Sequence, residues 1–265
     1  MNYSKISIIT VVYNMADKIE STILSVLNQT YPNIEYIIID GGSTDGTVDI
    51  IKKYESQLAY WISEPDKGIY NAMNKGVIKA TGVYCNFMNV GDKFYDNEVL
   101  NNVFSVNRRE DILHGITVTD NGTITLPISP ERLSLSFFYK TSLGHQATFI
   151  NRELLKEYPY DESYKIVADA KFFIVTLIIN NKTYATLPFK ICLYDTKGVS
   201  SNLENTDMEL KLIFRDLFPP RIVKDYELME NYLNPLFRIL YPITQSFLFQ
   251  KYLFPISKKI KKIVG

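Results

Sequence analysis

The sequence is short of cysteine, histidine and net charge, and each shortage closes off a class of function. Cys85 and Cys192 lie far apart within apolar runs, without the spacing of metal ligands or of a disulfide framework. Both read as small buried hydrophobes, and a reduced, cytoplasmic location is the simple expectation. Only two histidines occur, and no Ser-His-Asp spacing accompanies them, so nucleophilic hydrolase chemistry has little support. Formal net charge is zero, from 29 basic and 29 acidic residues, which argues against bulk electrostatic capture of nucleic acid. No uninterrupted apolar run approaches the ~18 residues of a spanning helix. The N-terminal "MNYSKISIITVVYN" has a short apolar run and no small-residue cleavage site, so it reads as a strand rather than a signal peptide.

Apolar and aromatic residues are plentiful. Hydrophobic residues make up 46% of the 265, with 19 Tyr and 15 Phe, enough for a sizeable core and too many for a disordered chain. The length fits one large domain, or one domain with an appendage.

Through residue 110 the chain alternates strand and helix signals. "ISIITVV" (6–12) is a β-branched run of the buried-strand type. Asp17 and Glu20 resemble a capping box before a helix that puts Ile19, Ile23 and Leu27 on one face. "YIIID" (36–40) is a second strand, stopped by the turn cluster "GGSTDGT" and a short helix. "AYWIS" (59–63), the helix "GIYNAMNKGVIKA" (68–80) and "VYCNFM" (83–88) continue the pattern. Such alternation implies parallel βαβ units, whose ligands gather beyond the carboxyl ends of the strands. Tyr13-Asn14, Asp40, Glu64–Asp66 and Asn89–Asp92 all fall there. That coincidence locates a site without naming it.

After residue 110 the pattern changes. Asn121-Gly122 is a two-residue hairpin signal between alternating runs. "GHQATFI" (144–150) reads as a strand, "DAKFFIVTLII" (169–179) as a helix, and "YATLPFKICLYD" (184–195) as an edge strand, because Pro188 cannot donate to a ladder. From about residue 222 the chain turns aromatic, apolar and basic, is punctuated by Pro235, Pro242 and Pro255, and ends with Lys258, Lys259, Lys261 and Lys262.

Taken together, "SIITVVYN", "IIIDGGSTDGT", "SEPDKGIYNAMNKG", "FMNVGDKF" and "IVADAKFF" resemble the inverting family 2 glycosyltransferases, above all the bacterial members that build capsule, lipopolysaccharide or exopolysaccharide. The resemblance covers roughly residues 5–200, and its specificity lies in the ordered set. It implies the α/β GT-A fold: a Rossmann-like, mixed, mostly parallel sheet flanked by helices. Residues 1–221 would form that domain, with a nucleotide-binding half (1–110) and an acceptor half (111–221), and 222–265 a helical appendage. It also implies a metal-dependent hexosyltransferase. The donor would be a nucleotide-diphosphate sugar, with a UDP-sugar favoured. The cofactor would be Mn²⁺ or Mg²⁺, and the acceptor a hydroxyl of a glycan or lipid-linked saccharide, attacked with inversion.

Residue by residue, Thr10, Val12 and Tyr13 match the strand that wraps the nucleobase and ribose. Asp40 matches the aspartate that accepts the imide N–H of uracil or thymine. Asp45 and Thr47 are left to turn and helix-cap duty. Many relatives carry Ala-Arg-Asn near the diphosphate, where this chain has Ala72-Met73-Asn74; Asp66, Lys67 or Lys75 would face the donor instead. The usual metal corner is a pair of aspartates, and "NVGD" keeps only Asp92. One acid can suffice when the diphosphate and water complete the shell. Asn89 would bond a ribose or sugar, and Gly91 would let the backbone approach the ligand. Asp169 matches the general base, with Asp161 as a rival, since an attacking hydroxyl must lose its proton. His145 and Gln146 fall near the acceptor side, and Gly198 in "TKGVSS" fits the hinge of a loop closing over the donor.

Two features stay open at the level of sequence. The tail reads either as a surface packed on protein or as a peripheral contact with the cytoplasmic leaflet, its lysines on anionic headgroups. The reduced metal corner and the missing arginine also suit a non-catalytic nucleotide-sugar-binding or membrane scaffold. A nucleotidyltransferase lacks a glycine-rich, basic phosphate loop near the N-terminus.

Overall fold

A computed structural model of the chain describes residues 3–196 and 203–233. The chain forms two compact units, Met1–Lys211 and Leu212–Gly265. The first is built on a mixed sheet. Its strands are β1 (Ile6–Val12), β2 (Ile34–Asp40), β3 (Tyr60–Ser63), β4 (Tyr84–Phe87), β5 (Lys93–Phe94), β6 (Ile112–Thr119), β7 (Ile124–Thr125), β8 (Thr148–Asn151) and β9 (Tyr184–Tyr194). Their spatial order is β3-β2-β1-β4-β8-β6-β9-β5, with β7 paired to β6. The first four strands run parallel, β8 is antiparallel to both β4 and β6, and β9 runs parallel to β6.

The helices are α1 (Ala16–Leu27), α2 (Thr47–Lys53), α3 (Ile69–Lys79), α4 (Val99–Phe104), α5 (Leu135–Phe138), α6 (Arg152–Glu157), α7 (Ala168–Phe173), α8 (Leu203–Leu217) and α9 (Pro220–Leu233). Strands β1 and β2 are buried along almost their whole length, as covering helices on both faces require. Ile19, Ile23 and Val26 of α1 pack into the core against Ile6, Ile8, Val12 and Ile38. In the second unit, Phe214 packs its ring on Phe218 and on Tyr226, each at 5.4 Å. Among the described residues no helix is long and apolar enough to cross a membrane. The aromatic, lysine-rich tail beyond Leu233 and the hinge proposed at Gly198 lie outside the described residues.

Three local expectations are corrected. Helix α1 has no capping box. Asp45 instead accepts the Ala16 N–H at 3.0 Å and Thr47 the Met15 N–H at 3.0 Å, so the cap comes from the turn after β2. Strand β9 is an edge only in its first half, where Pro188 lies and β6 is its one partner; at Cys192 and Leu193 the short β5 pairs with its other side. Its register against β6 jumps from His114–Thr186 to Ile116–Lys190, and the slack holds Leu187, Pro188 and Phe189. A bulge thus spares Pro188 the ladder bond it cannot make. Finally, His145 and Gln146 do not lie on a strand; His145–Ala147 is a single 3-10 turn before β8. A hairpin does form at Asn121-Gly122, but on a three-residue loop, Asp120–Gly122, closed by Thr119 and Thr123, in which Gly122 takes φ +85° and Asn121 keeps a negative φ. Both cysteines are free and buried, and burial pushes both thiols up, that of Cys85 to about 12.

Candidate active site

The order of the sheet reverses between β1 and β4, and a ligand crevice opens at such a reversal. A cavity of about 370 Å³ lies there, lined from the β1 end by Val11, Val12 and Tyr13 and from the β4 end by Asn89, Val90 and Asp92. Lys18, Asp66, Tyr70, His145, Gln146, Ile166 and Asp195 complete its polar and apolar walls. The sequence runs "VVYN" and "FMNVGD" straight from buried strand into polar loop, so each strand delivers its last side chains to this mouth.

One side of the cleft is an acidic corner. Asp92 is only 4% exposed and accepts the Asp195 N–H at 2.9 Å. Burial pushes its carboxyl up to about 7, against the pull of that N–H, of His145 and of Gln146. Gly91, at φ +97°, carries no side chain, and Asp195 fills the space: a Cβ on Gly91 would stand 2.8 Å from Asp195 Oδ2. The Lys18 ammonium bonds Asp195, and that bond holds the ammonium above its usual range. Sequence reasoning missed both residues, because Asp195 reaches the corner from the end of β9, 177 residues after Lys18.

This corner fits a divalent ion carried by a diphosphate. Its donors are hard carboxylate oxygens, and the cradle at Gly91 brings a second acid beside the first. No cluster of three acids, histidines or cysteines among the described residues makes an all-protein cage. A Mg²⁺ or Mn²⁺ here would take the rest of its shell from phosphate oxygens and water.

Facing the same cavity is an imidazole held at both ends. His145 Nδ1 lies 2.9 Å from Asp169 Oδ2, and Nε2 lies 3.0 Å from Asn89 Nδ2. Asn86 on β4 fixes the turn that carries His145 by donating to the carbonyls of Gln146 and Thr148. Asp169 sits in the first turn of α7, where its Oδ1 also accepts the Ala170 N–H; the Tyr70 hydroxyl lies 3.2 Å from that oxygen and donates to the Ile166 carbonyl at 2.6 Å. The Glu209 carboxylate accepts three successive N–H groups, those of Lys165, Ile166 and Val167, and pins the approach to α7. The other histidine, His114, is buried in β6 against Thr148, and burial lowers it to about 4.

The remaining anticipated residues are placed unevenly. Val12, Tyr13, Asp66, Asn89, Asp92, His145 and Gln146 share the cavity wall. Thr10 does not: it is fully buried, donating to the Met88 carbonyl at 2.7 Å beside the Tyr36 hydroxyl. Asp40 is fully buried too, its carboxylate taking the Gly42 and Ser43 N–H groups and the Ser43 and Ser63 hydroxyls. Asp66 caps its own turn through the Gly68 N–H, and Lys75 is paired with Glu64 at 2.7 Å. Asp161 loses to burial but gains more from Lys171 and Ser163, which hold it down at about 2. Asp169 lies behind His145 rather than on the cavity wall.

Comparisons with known proteins give the family and the fold. The family model described as "Glycosyl transferase family 2" matches residues 7–157. A PGL/p-HBAD biosynthesis glycosyltransferase of Mycobacterium tuberculosis is 30% identical over 177 residues, covering 63% of this chain and 68% of the relative. S. aureus TarS 1-349, solved in complex with UDP-GlcNAc, matches with TM-score 0.65 and 19% identity over 93% of this chain and 77% of that one. A mannosyltransferase of Pyrobaculum calidifontis, in complex with GDP-Man and Mn²⁺, matches with TM-score 0.65 and 16% identity over 100% and 80%. At those two identities the likeness is one of fold.

Proposed function

The chain belongs to the family 2 glycosyltransferases and has their GT-A fold, and from that premise we propose that it transfers a sugar from a nucleotide-diphosphate donor to a hydroxyl of a cell-surface glycan or lipid-linked saccharide, with inversion. The observation that carries this reading is one cleft holding both an acidic corner, Asp92 with Asp195 and Lys18, and a carboxylate–imidazole pair, Asp169 with His145. Single displacement needs both: charge relief on the leaving diphosphate and a proton acceptor for the incoming hydroxyl.

In this reading Val12 and Tyr13 flank the nucleoside, while Asn89 and Asp66 meet the ribose and sugar. A UDP-sugar is favoured, as TarS is solved with UDP-GlcNAc. Asp40 Oδ1 takes only the Ser43 hydroxyl from the protein, so it is the oxygen left for a uracil imide once Ser43 turns aside. Asp92, with Asp195 beside it, would hold Mn²⁺ or Mg²⁺, which when bound neutralises charge developing on the diphosphate. Lys18 adds a protein cation at the same place. The proton of the attacking hydroxyl leaves toward the Asp169–His145 pair. The relative named for PGL/p-HBAD biosynthesis supports a surface-glycan acceptor, and the basic tail suits an acceptor carried at a membrane.

Calorimetric titration of the full chain with UDP and with GDP, with and without Mn²⁺, tests the reading. UDP should bind, and Mn²⁺ should tighten it at least tenfold. Absence of binding by both nucleotides under both conditions would refute it.

A further inference from the structure

Asp169 stands behind the cavity wall, its carboxylate accepting the Ala170 N–H at 2.9 Å and the His145 Nδ1–H at 2.9 Å, while the Tyr70 hydroxyl beside it gives its proton to the Ile166 carbonyl at 2.6 Å. His145, by contrast, lies on the cavity wall. We infer that His145 Nε2 is the atom that takes the proton from the attacking hydroxyl, and that Asp169 is a positioning residue acting through the imidazole. The inference rests on the transferase reading and specifies its base.

The bond pattern determines the tautomer. An ionised carboxylate only accepts, so the hydrogen between Asp169 and His145 belongs to Nδ1. A neutral ring protonated at Nδ1 has its lone pair on Nε2, and Asn89 Nδ2 donates to it. That is the tautomer a base requires, and an acid behind an imidazole is what fixes it. With an acceptor bound, its hydroxyl replaces the Asn89 amide at Nε2. The O–H bond breaks and its proton moves to Nε2. The oxygen pair forms the bond to the anomeric carbon, and the bond from that carbon to the diphosphate oxygen breaks, its electron pair leaving on the nucleoside diphosphate. His145 ends as an imidazolium whose charge Asp169 offsets.

Asn89 supplies an independent observation. It is 8% exposed, and its Oδ1 is buried without a hydrogen-bond partner. Such an orphan is uncommon and calls for a reason. Turned over, the amide presents that oxygen to the Nε2–H of the imidazolium. Asn89 therefore complements both protonation states of the ring, donating before transfer and accepting after it. A histidine that merely filled space would give the orphan oxygen no use.

The test uses the full chain with Mn²⁺, a panel of UDP- and GDP-sugars, and water as acceptor, with release of nucleoside diphosphate as the readout. His145→Ala should bind UDP as the wild type does and lose at least about 100-fold in rate, at the low end for removal of a positioned base. Added imidazole should restore it. Asp169→Asn, which keeps an acceptor for Nδ1–H, should lose less than Asp169→Ala, and imidazole should rescue neither. Wild-type rate in His145→Ala, or a loss that imidazole does not relieve, overturns the inference while leaving the transferase reading intact. If His145→Ala fails to bind UDP, His145→Gln should bind it and show the same loss; a retained rate there overturns the inference. Release from no member of the panel by the wild type overturns the transferase reading and this inference with it.

Discussion

Asp92 makes stability oppose function in a way that can be measured. Its carboxyl is pushed to about 7 by burial, against about 3.9 in an unfolded chain. Between those values the folded state holds a proton that the unfolded state has released. Stability therefore falls as pH rises, by about 1.4 kcal/mol per pH unit, and the fall is complete above pH ~7. Asp92→Asn removes the titration and keeps an oxygen for the Asp195 N–H. Below about pH 4, where Asp92 is protonated in the folded and the unfolded chain alike, wild type and variant should unfold at similar denaturant concentration, since a protonated Asp and an Asn are close in shape and charge. Near pH 8 the variant should be the more stable. The roughly three units between about pH 4 and 7 give about 4 kcal/mol, an upper figure because water entry and local relaxation weaken burial. Urea denaturation of both proteins at several pH values isolates the difference, because every other titration cancels. Above pH 7 Mn²⁺ with UDP should stabilise the wild type and leave Asp92→Asn much less affected. A difference flat in pH would refute the argument that an unpaired buried carboxylate waits at this corner for a cation.

Two further outcomes follow from packing. Gly76 of α3 lies against β1, and a Cβ there would stand 2.5 Å from Ile9 Cγ2. Gly76→Ala should lose about 1–3 kcal/mol to overpacking despite gaining about 1 kcal/mol of helix propensity, and denaturation showing net stabilisation would refute the contact. Glu209→Ala leaves the amides of Lys165, Ile166 and Val167 without their carboxylate, a charge-assisted set with each bond worth about 1.5–3 kcal/mol. Hydrogen exchange at these three positions should quicken more than at the strands; unchanged exchange would show that the segment is held by something else.

Much of the fold was legible because it is written in short windows. The β-branched runs of β1 and β2, the periodicity of α3 and the Asn121-Gly122 turn each depend on residues within one element. What failed depended on residues far apart in sequence. The cap of α1 sits about 30 residues ahead, on Asp45 and Thr47. Pro188 argued for an edge, and the bulged half of β9 that holds it is one, but β5, far earlier in the chain, covers the other half at Cys192 and Leu193. His145 looked like strand because "GHQATFI" is apolar beyond it, yet Asn86 of β4 takes the carbonyls that a strand would have spent on its neighbour. Thr10 occupies the right strand, but its hydroxyl is spent on the Met88 carbonyl.

The corner around Asp92, proposed above to hold a metal, shows why a motif and a site are different objects. In "FMNVGDKF" one acid is missing, and the window alone supports a site of one carboxylate whose shell diphosphate and water would complete. In space the deficit is made good from another strand. Gly91 has no Cβ, and Asp195 of the β9 end places its carboxylate in the room so released. Neither half works without the other, since a side chain at 91 would collide with Asp195, and a glycine at 91 without Asp195 would leave a single acid. Lys18 then balances the added charge, as its bond to Asp195 shows. A corner of two carboxylates and one ammonium carries one net negative charge with all groups ionised, the same as Asp92 alone. The exchange therefore leaves the attraction for a cation near that of the single acid and doubles the number of carboxylates able to reach it. The sequence window held that single acid, and the fold supplied its two partners.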